Sequence, residues 1–147
     1  MSVSASIALE LQRRLQAISV FAGFNTDAGQ NVVIGWRNLE ASAIYPNLTL
    51  VETGHAILSD AVRGVNVKIQ IQWSVEGLAL TGGETVLPDL YAIEADVLRA
   101  IFADDLRVDG RFVRLIYGGR EISPPEEGGK LAAIRVNLTT EHSEQLL

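Results

Sequence analysis

The residues of this chain able to do chemistry are few and scattered. His55 lies in ETGHAILSD with Glu52 and Asp60 nearby, and His142 lies in EHSEQ near the end of the chain. A metal centre needs ligands converging from several directions, and neither HxxxH nor HExxH spacing occurs. Asp104, Asp105 and Asp109 cluster in FADDLRVDG, where a cation site or an acid/base pair is conceivable. The segment lacks the ligand spacing of a calcium loop, so it reads as a solvated helix end followed by a Val-Asp-Gly turn. Glu94 and Asp96 stand two apart on a predicted helix, hence on different sides of it, and cannot form a carboxylate dyad. The pairs Gly82-Gly83, Gly118-Gly119 and Gly128-Gly129 belong to neither GxxxxGK[ST] nor GxGxxG and read as turn glycines. No GxSxG nucleophile elbow occurs, and the early serines are explained by helix capping. No residue is therefore assigned a catalytic, cofactor-binding or metal-binding role.

Composition narrows the field. The 147 residues suit a single domain over 1–147, long enough to bury a core without staples. Apolar residues at 48% and charged residues at 20% are ordinary for a globular chain. The absence of cysteine excludes disulfides and thiolate chemistry. A net charge of −6 argues against nonspecific attraction to nucleic acid or to an anionic membrane. The opening MSVSASIALELQRRLQAISVF lacks the basic start and long apolar run of a signal peptide, and no stretch approaches the ~18 apolar residues of a membrane span.

The elements that position these residues follow from periodicity. Ile7, Leu11, Leu15, Ile18 and Ala22 recur at helical spacing, with Ser4 or Ser6 as cap, Gly23 as stop, and Glu10, Arg13, Arg14 and Gln16 on the other side. A turn cluster, Asn25–Gly29, leads into a strand over Val32–Arg37, and Asn47–Thr53 reads as the next strand. Ala56–Val62 fits a strand continuation or a loop. The plainest element is VNVKIQIQWSVE, residues 65–76, opened by Gly64 and closed by Gly77. Its odd positions are all apolar and its even positions all polar, and at ~3.4 Å per step it spans about 37 Å. A one-residue slip would turn the whole apolar set to solvent, so its register is firmly set.

Residues 77–89 read as a loop. Asp89 then caps a helix over Leu90–Phe102 with Leu90, Ile93, Val97 and Ile101 as its stripe. Asp104 and Asp105 after it oppose the macrodipole, which favours cations at a helix C-terminus. A strand over Arg111–Tyr117, an excursion over 118–130, and an alternating strand over Ile134–Thr139 complete the chain, with a frayed tail. Consecutive strands favour an α+β fold: a mainly antiparallel sheet with two helices packed on one face, in the order α-β-β-β-α-β-β.

Function is expected on surfaces rather than in a cleft. Trp36 and Trp73 sit on apolar strand faces and read first as core, otherwise as interface anchors. Arg120, Glu121, Glu126, Glu127 and Lys130 charge an excursion stiffened by Pro124-Pro125, which reads as a contact arm for a protein partner. Glu84 in the loop over 77–89 and the polar ribbon residues Lys68, Gln70 and Gln72 are further candidate contacts.

Taken together, IALELQRRLQAI, YPNLTLVET, VNVKIQIQWSVE, LYAIEADVLRAIF and KLAAIRVNLTTEH resemble, in order and texture along nearly the whole chain, the tail-terminator (minor tail) proteins of long-tailed bacteriophages. The resemblance implies a virion protein assembled in the host cytoplasm, without catalysis or cofactor. It further implies a homo-oligomer, a hexameric ring that caps the tail tube, stops its polymerisation, and presents a surface to the head-tail connector protein. Tail tube protein and connector would be its partners, and genomic DNA would pass through without specific binding. Another ring-forming head-tail joining or tail-tube subunit, a monomeric adaptor, and a small-ligand-binding or enzymatic α+β domain are the competing expectations.

Overall fold

A computed structural model describes residues 2–36, 44–59, 66–80 and 85–145. Val65, Gly64, Asp60, Gly82, Gly83, Glu84 and Arg37, named above, lie outside them, as does the segment 60–62 of the ambiguous stretch. The described elements run α1 (Val3–Gln16), a 3₁₀ turn (Ala28–Gln30), β1 (Val32–Ile34), β2 (Asn47–Ile57), β3 (Asn66–Leu80), α2 (Val86–Ile101), β4 (Leu106–Val108), β5 (Arg111–Ser123) and β6 (Leu131–Gln145). The strands form one six-stranded sheet in the order β1-β2-β3-β6-β5-β4.

The fold is α+β, with two corrections to the expected order. A third strand, β4, follows α2, and β1 pairs with β2 in parallel while every other pairing is antiparallel. β4 is the first arm of a hairpin closed by Asp109 and Gly110, both at positive φ (51° and 78°). An Asp-Gly pair selects that turn: the expected helix end and Val-Asp-Gly turn are both present, and the turn joins two paired strands. β1 has three residues, too few for alternation to carry any signal of pairing direction.

β3 and β6 are the spine, paired without interruption from Asn66↔Gln145 to Leu80↔Leu131. Val67, Ile69, Ile71, Trp73 and Val75 are buried on one face, with Leu138 opposite Trp73, Val136 opposite Val75 and Ile134 opposite Gly77 on β6. Full cover contributes at most ~1.5–3 kcal/mol for each large apolar side chain. Gly77 does not close the ribbon: the strand continues to Leu80, and α2 crosses it there. A Cβ on Gly77 would stand 2.7 Å from Ile93 Cγ2, so glycine is the residue that permits the close approach. The tail expected to fray is strand to Gln145, because β3 is long enough to pair with all of it.

The helices are also displaced from their expected ends. α1 is capped by Ser2, whose Oγ accepts from Ala5 N at 3.1 Å, one residue pair upstream of the expected Ser4 or Ser6. It stops at Gln16 rather than near Gly23, since the chain turns so that Ile18 O accepts from Gly29 N. Ile7, Leu11, Leu15 and Ile18 are buried as expected, but Ala22 lies exposed beyond the helix. α2 begins at Val86 with Thr85 as its N-cap, not at Leu90 with Asp89. Pro88 falls within the first turn, where its missing N–H costs nothing, so a proline that looked like a loop marker is part of the helix. Leu90, Ile93, Val97 and Ile101 are all buried.

Arg14 is the largest departure on α1. Expected on the solvent side, it is buried, and its guanidinium donates to Ile101 O (2.6 Å), Asp104 O (2.8 Å) and Asp105 O (2.7 Å). A cation thus stands at the C-terminus of α2 after all, supplied by a different helix. Asp96 is a buried charge of the opposite sign. It lies on α2 and accepts from Asn25 N (2.9 Å), Thr26 N (2.7 Å) and Thr26 Oγ1 (2.7 Å), tying down the turn after α1.

Candidate interaction surface

The residues weighed for chemistry do not converge. His55 is exposed on β2, while His142 is buried on β6 with Nε2 2.8 Å from Glu144 Oε1. The placement of His142 corrects the expectation of a mobile terminal histidine. Asp104 and Asp105 serve Arg14 through their backbone carbonyls, and Asp109 shapes the hairpin. Among the described residues, no three His, Asp or Glu side chains are gathered as metal ligands would be. Glu10 is held below the ordinary carboxylate range, chiefly by its hydrogen bond from Arg13, with burial opposing and Arg14 assisting. That cluster lies on the flank of α1, where Glu10 and Arg13 border a shallow open depression with Arg107 and Asp109.

The two tryptophans part company. Trp73 is core, 3% exposed, and donates from Nε1 to Thr140 Oγ1 at 2.9 Å. Trp36 is 89% exposed. β1 stops at Ile34 and Gly35 takes a φ of +96°, so the strand that was to carry Trp36 into the core ends before reaching it.

The first half of the contact arm expected over 118–130 is sheet. β5 runs on through Ser123, pairing Arg120 with Val136 and Ser123 with Ala133 after a bulge at Gly118 and Gly119. A Cβ on Gly118 would press on Asn137 O at 3.2 Å, and Gly119 sits at φ +90°, so the double glycine marks the bulge rather than a loop base. Arg120 turns back onto α2, reaching Glu94 Oε1 at 2.6 Å and lying 4.8 Å from the Tyr91 ring centroid. Glu121 stands 3.8 Å from Arg135 across the opposite face. Only Pro124–Lys130 remains as hairpin tip, with Glu126, Glu127 and Lys130 exposed.

The even positions of β3 lie on the sheet face away from the core. Lys68 reaches Glu141 (3.7 Å), which Arg114 also approaches (3.6 Å), and Arg135 reaches Glu76 (3.3 Å). Gln72 is exposed, its Oε1 lying over Gly54 where a Cβ would come within 2.5 Å. Gln70 is half-buried, and Ser74 Oγ donates to Asn137 Oδ1. A groove of about 380 Å³ opens on this face, lined by Trp36, Val51, Ser74, Glu76, Leu78 and Arg135 among others. The groove was missed by stopping the ribbon at Gly77. The signal was Leu78 and Leu80, where even positions turn apolar.

Among the described residues, both margins of the sheet are partly bare. β1 covers β2 only over Leu48–Leu50, and β4 covers β5 only over Arg111–Val113. Among the described residues no strand pairs with the outer side of 51–57 or of 114–123.

With this architecture defined, the chain is similar in fold to a chain of the virion of a native gene transfer agent (GTA) particle. The TM-score is 0.69 at 14% sequence identity, over 97% of this chain and 98% of that one. Neither a protein-family model nor a curated protein matches the sequence. No helix among the described residues is long and apolar enough to cross a membrane.

Proposed function

We propose that this chain is a structural protein of a phage-like virion, and specifically a ring-forming tail terminator. It caps the tail tube, stops its polymerisation and forms the joining surface to the head-tail connector. The observation that carries the reading is the whole-length fold likeness to a chain of a virion particle. The likeness spans both chains nearly end to end, so it concerns the complete architecture rather than a shared motif. The dispersed titratable groups, the open sheet face and the bare margins suit a protein that works by contact.

In this reading the protein is no enzyme and holds no cofactor. Its partners are further copies of itself, hexameric by expectation, together with tail tube and connector proteins. Genomic DNA passes through the ring, and the acidic balance keeps it from sticking. Glu126, Glu127 and Lys130 at the hairpin tip, and Lys68, Gln70 and Gln72 on the open face, are proposed contacts, as are Glu84, Arg120 and Glu121.

Native mass spectrometry at micromolar concentration, alone and with tail tube subunits, tests the reading. A ring of defined stoichiometry that binds the end of a tube supports it; a monomer under both conditions sinks it. The same likeness also serves another ring-forming head-tail joining or tube subunit, and the partner that the ring binds separates the two.

A further inference from the structure

The two bare margins are complementary in a way that points to how copies would join. On β2, Leu50 O accepts from Gly35 N on the β1 side, and Leu58 N donates to Lys68 O on the β3 side. Alternation of an antiparallel ladder, stepped once at the bulge between Glu52 and Gly54, then aims the backbone groups of Glu52, His55 and Ile57 outward. On β5, the Val108–Arg111 pair closes a two-residue turn, so Arg111 and Val113 face β4. The outward residues beyond β4 are therefore Leu115 and Tyr117, then, after the Gly118-Gly119 bulge, Arg120 and Ile122.

Strand direction agrees. β2 and β6 run one way and β3 and β5 the other, since each neighbouring pair between them is antiparallel. A rotation about an axis along the strands preserves those directions. It brings β5 of one copy beside β2 of the next antiparallel, the more stable arrangement. Repeated head to tail, such a contact closes into a ring.

We propose that neighbouring copies join edge to edge, with residues 114–121 of one copy pairing antiparallel to residues 51–58 of the next. This deepens the ring reading above and rests on it. One register satisfies every feature of both margins. Ile57 meets Leu115 and His55 meets Tyr117; the bulge at 53–54 then meets the bulge at 118–119, and Glu52 meets Arg120. Each bulge adds one residue to its own strand, so the register is the same on either side of the pair. The carboxylate of Glu52 faces a guanidinium already anchored by Glu94, which has donors to spare. Beyond Arg120, β5 runs up to Gly35 and Trp36, where β1 stops, and gives the exposed indole a neighbour. Bulges that blunt an edge against indiscriminate pairing here admit the one edge that carries a matching bulge.

The chain has no cysteine, so an introduced pair reports without interference. In full-length protein, His55→Cys combined with Tyr117→Cys gives, on mild oxidation, a ladder of covalent multimers ending in a closed ring. Each single variant gives no species above a dimer. Pairing His55→Cys with Arg114→Cys, off register, reduces linkage about tenfold or more, since a disulfide needs Cα atoms within ~7 Å. Separately, Tyr117→Pro removes an outward N–H without breaking an intrachain ladder bond. It keeps the wild-type circular dichroism and weakens association about tenfold or more. Wild-type rings that persist with Tyr117→Pro and leave the 55/117 pair unlinked overturn edge pairing and leave the ring reading standing. Linkage of the cysteines only to tube subunits also overturns it. A wild-type chain that stays monomeric, alone and with tube subunits, removes both.

Discussion

Arg14→Met tests whether the guanidinium of α1 holds the end of α2. Methionine keeps the aliphatic stem and removes donors that reach three carbonyls at 2.6–2.8 Å. Ile101 is fully buried, so its carbonyl would be left dry at a cost of about 1–3 kcal/mol. Asp104 and Asp105 are exposed, so their carbonyls regain water and each lost bond costs only about 0.5–1.5 kcal/mol. Relief from burying a charge offsets part of this, leaving a net loss of about 2–4 kcal/mol. For a chain of this size that lowers Tm by about 5–15 °C. The assay is urea unfolding at a protein concentration low enough to avoid self-association, reading the midpoint at unchanged slope. Arg13→Met is the internal control: the next residue, 69% exposed at its side chain, bonds only Glu10 and should move stability by no more than about 0.5 kcal/mol. Arg14→Lys, with one point charge in place of a fork, should fall between. If Arg14→Met matches Arg13→Met, the cation at the α2 C-terminus contributes nothing and the reasoning fails.

Three further outcomes follow from the same contacts. Asp96→Ala removes the acceptor for two backbone amides and a hydroxyl, and should cost about 2–3 kcal/mol while hydrogen exchange at Asn25 and Thr26 accelerates. Gly77→Val drives a side chain into Ile93 and should cost about 1–3 kcal/mol. Adding Ile93→Ala should return part of that loss, and a strictly additive double mutant would refute the contact. Glu10 titrates below its ordinary value of 4.5, so its contribution is present above that pH and is lost as pH falls through the lower folded value. Glu10→Gln should therefore flatten the acid side of the stability profile, and an unchanged profile would count against the Arg13 and Arg14 pairing.

Much of the fold was legible because it is written in local repeats. The alternation from Val67 to Val75 and from Ile134 to Leu138, and the stripes Ile7-Leu11-Leu15 and Leu90-Ile93-Val97-Ile101, assign element type and buried face from the sequence alone. Burial acts on each side chain singly, and the period of a strand or helix decides which side chains share a face. The absence of cysteine and the acidic balance are likewise properties of the sequence.

What needed the tertiary structure is everything that depends on a distant partner. The polar side of α1 contains Arg14, and nothing local says that the carbonyls of Ile101, Asp104 and Asp105 will close over it. Gly77 reads as a strand end until Ile93 is seen pressing on it, and Gly118-Gly119 reads as a loop until β6 continues past it. Trp36 carries the same apolar character as Trp73, yet one is core and the other is exposed because β1 ends two residues before it. The candidate surface is the furthest from the sequence. A bare strand edge is defined by which neighbours stop short, and that is decided by the lengths of β1 and β4 against β2 and β5. Hydropathy records which face of a strand is buried. It carries no record of which edge is paired, because the edge consists of backbone groups that every residue but proline presents alike.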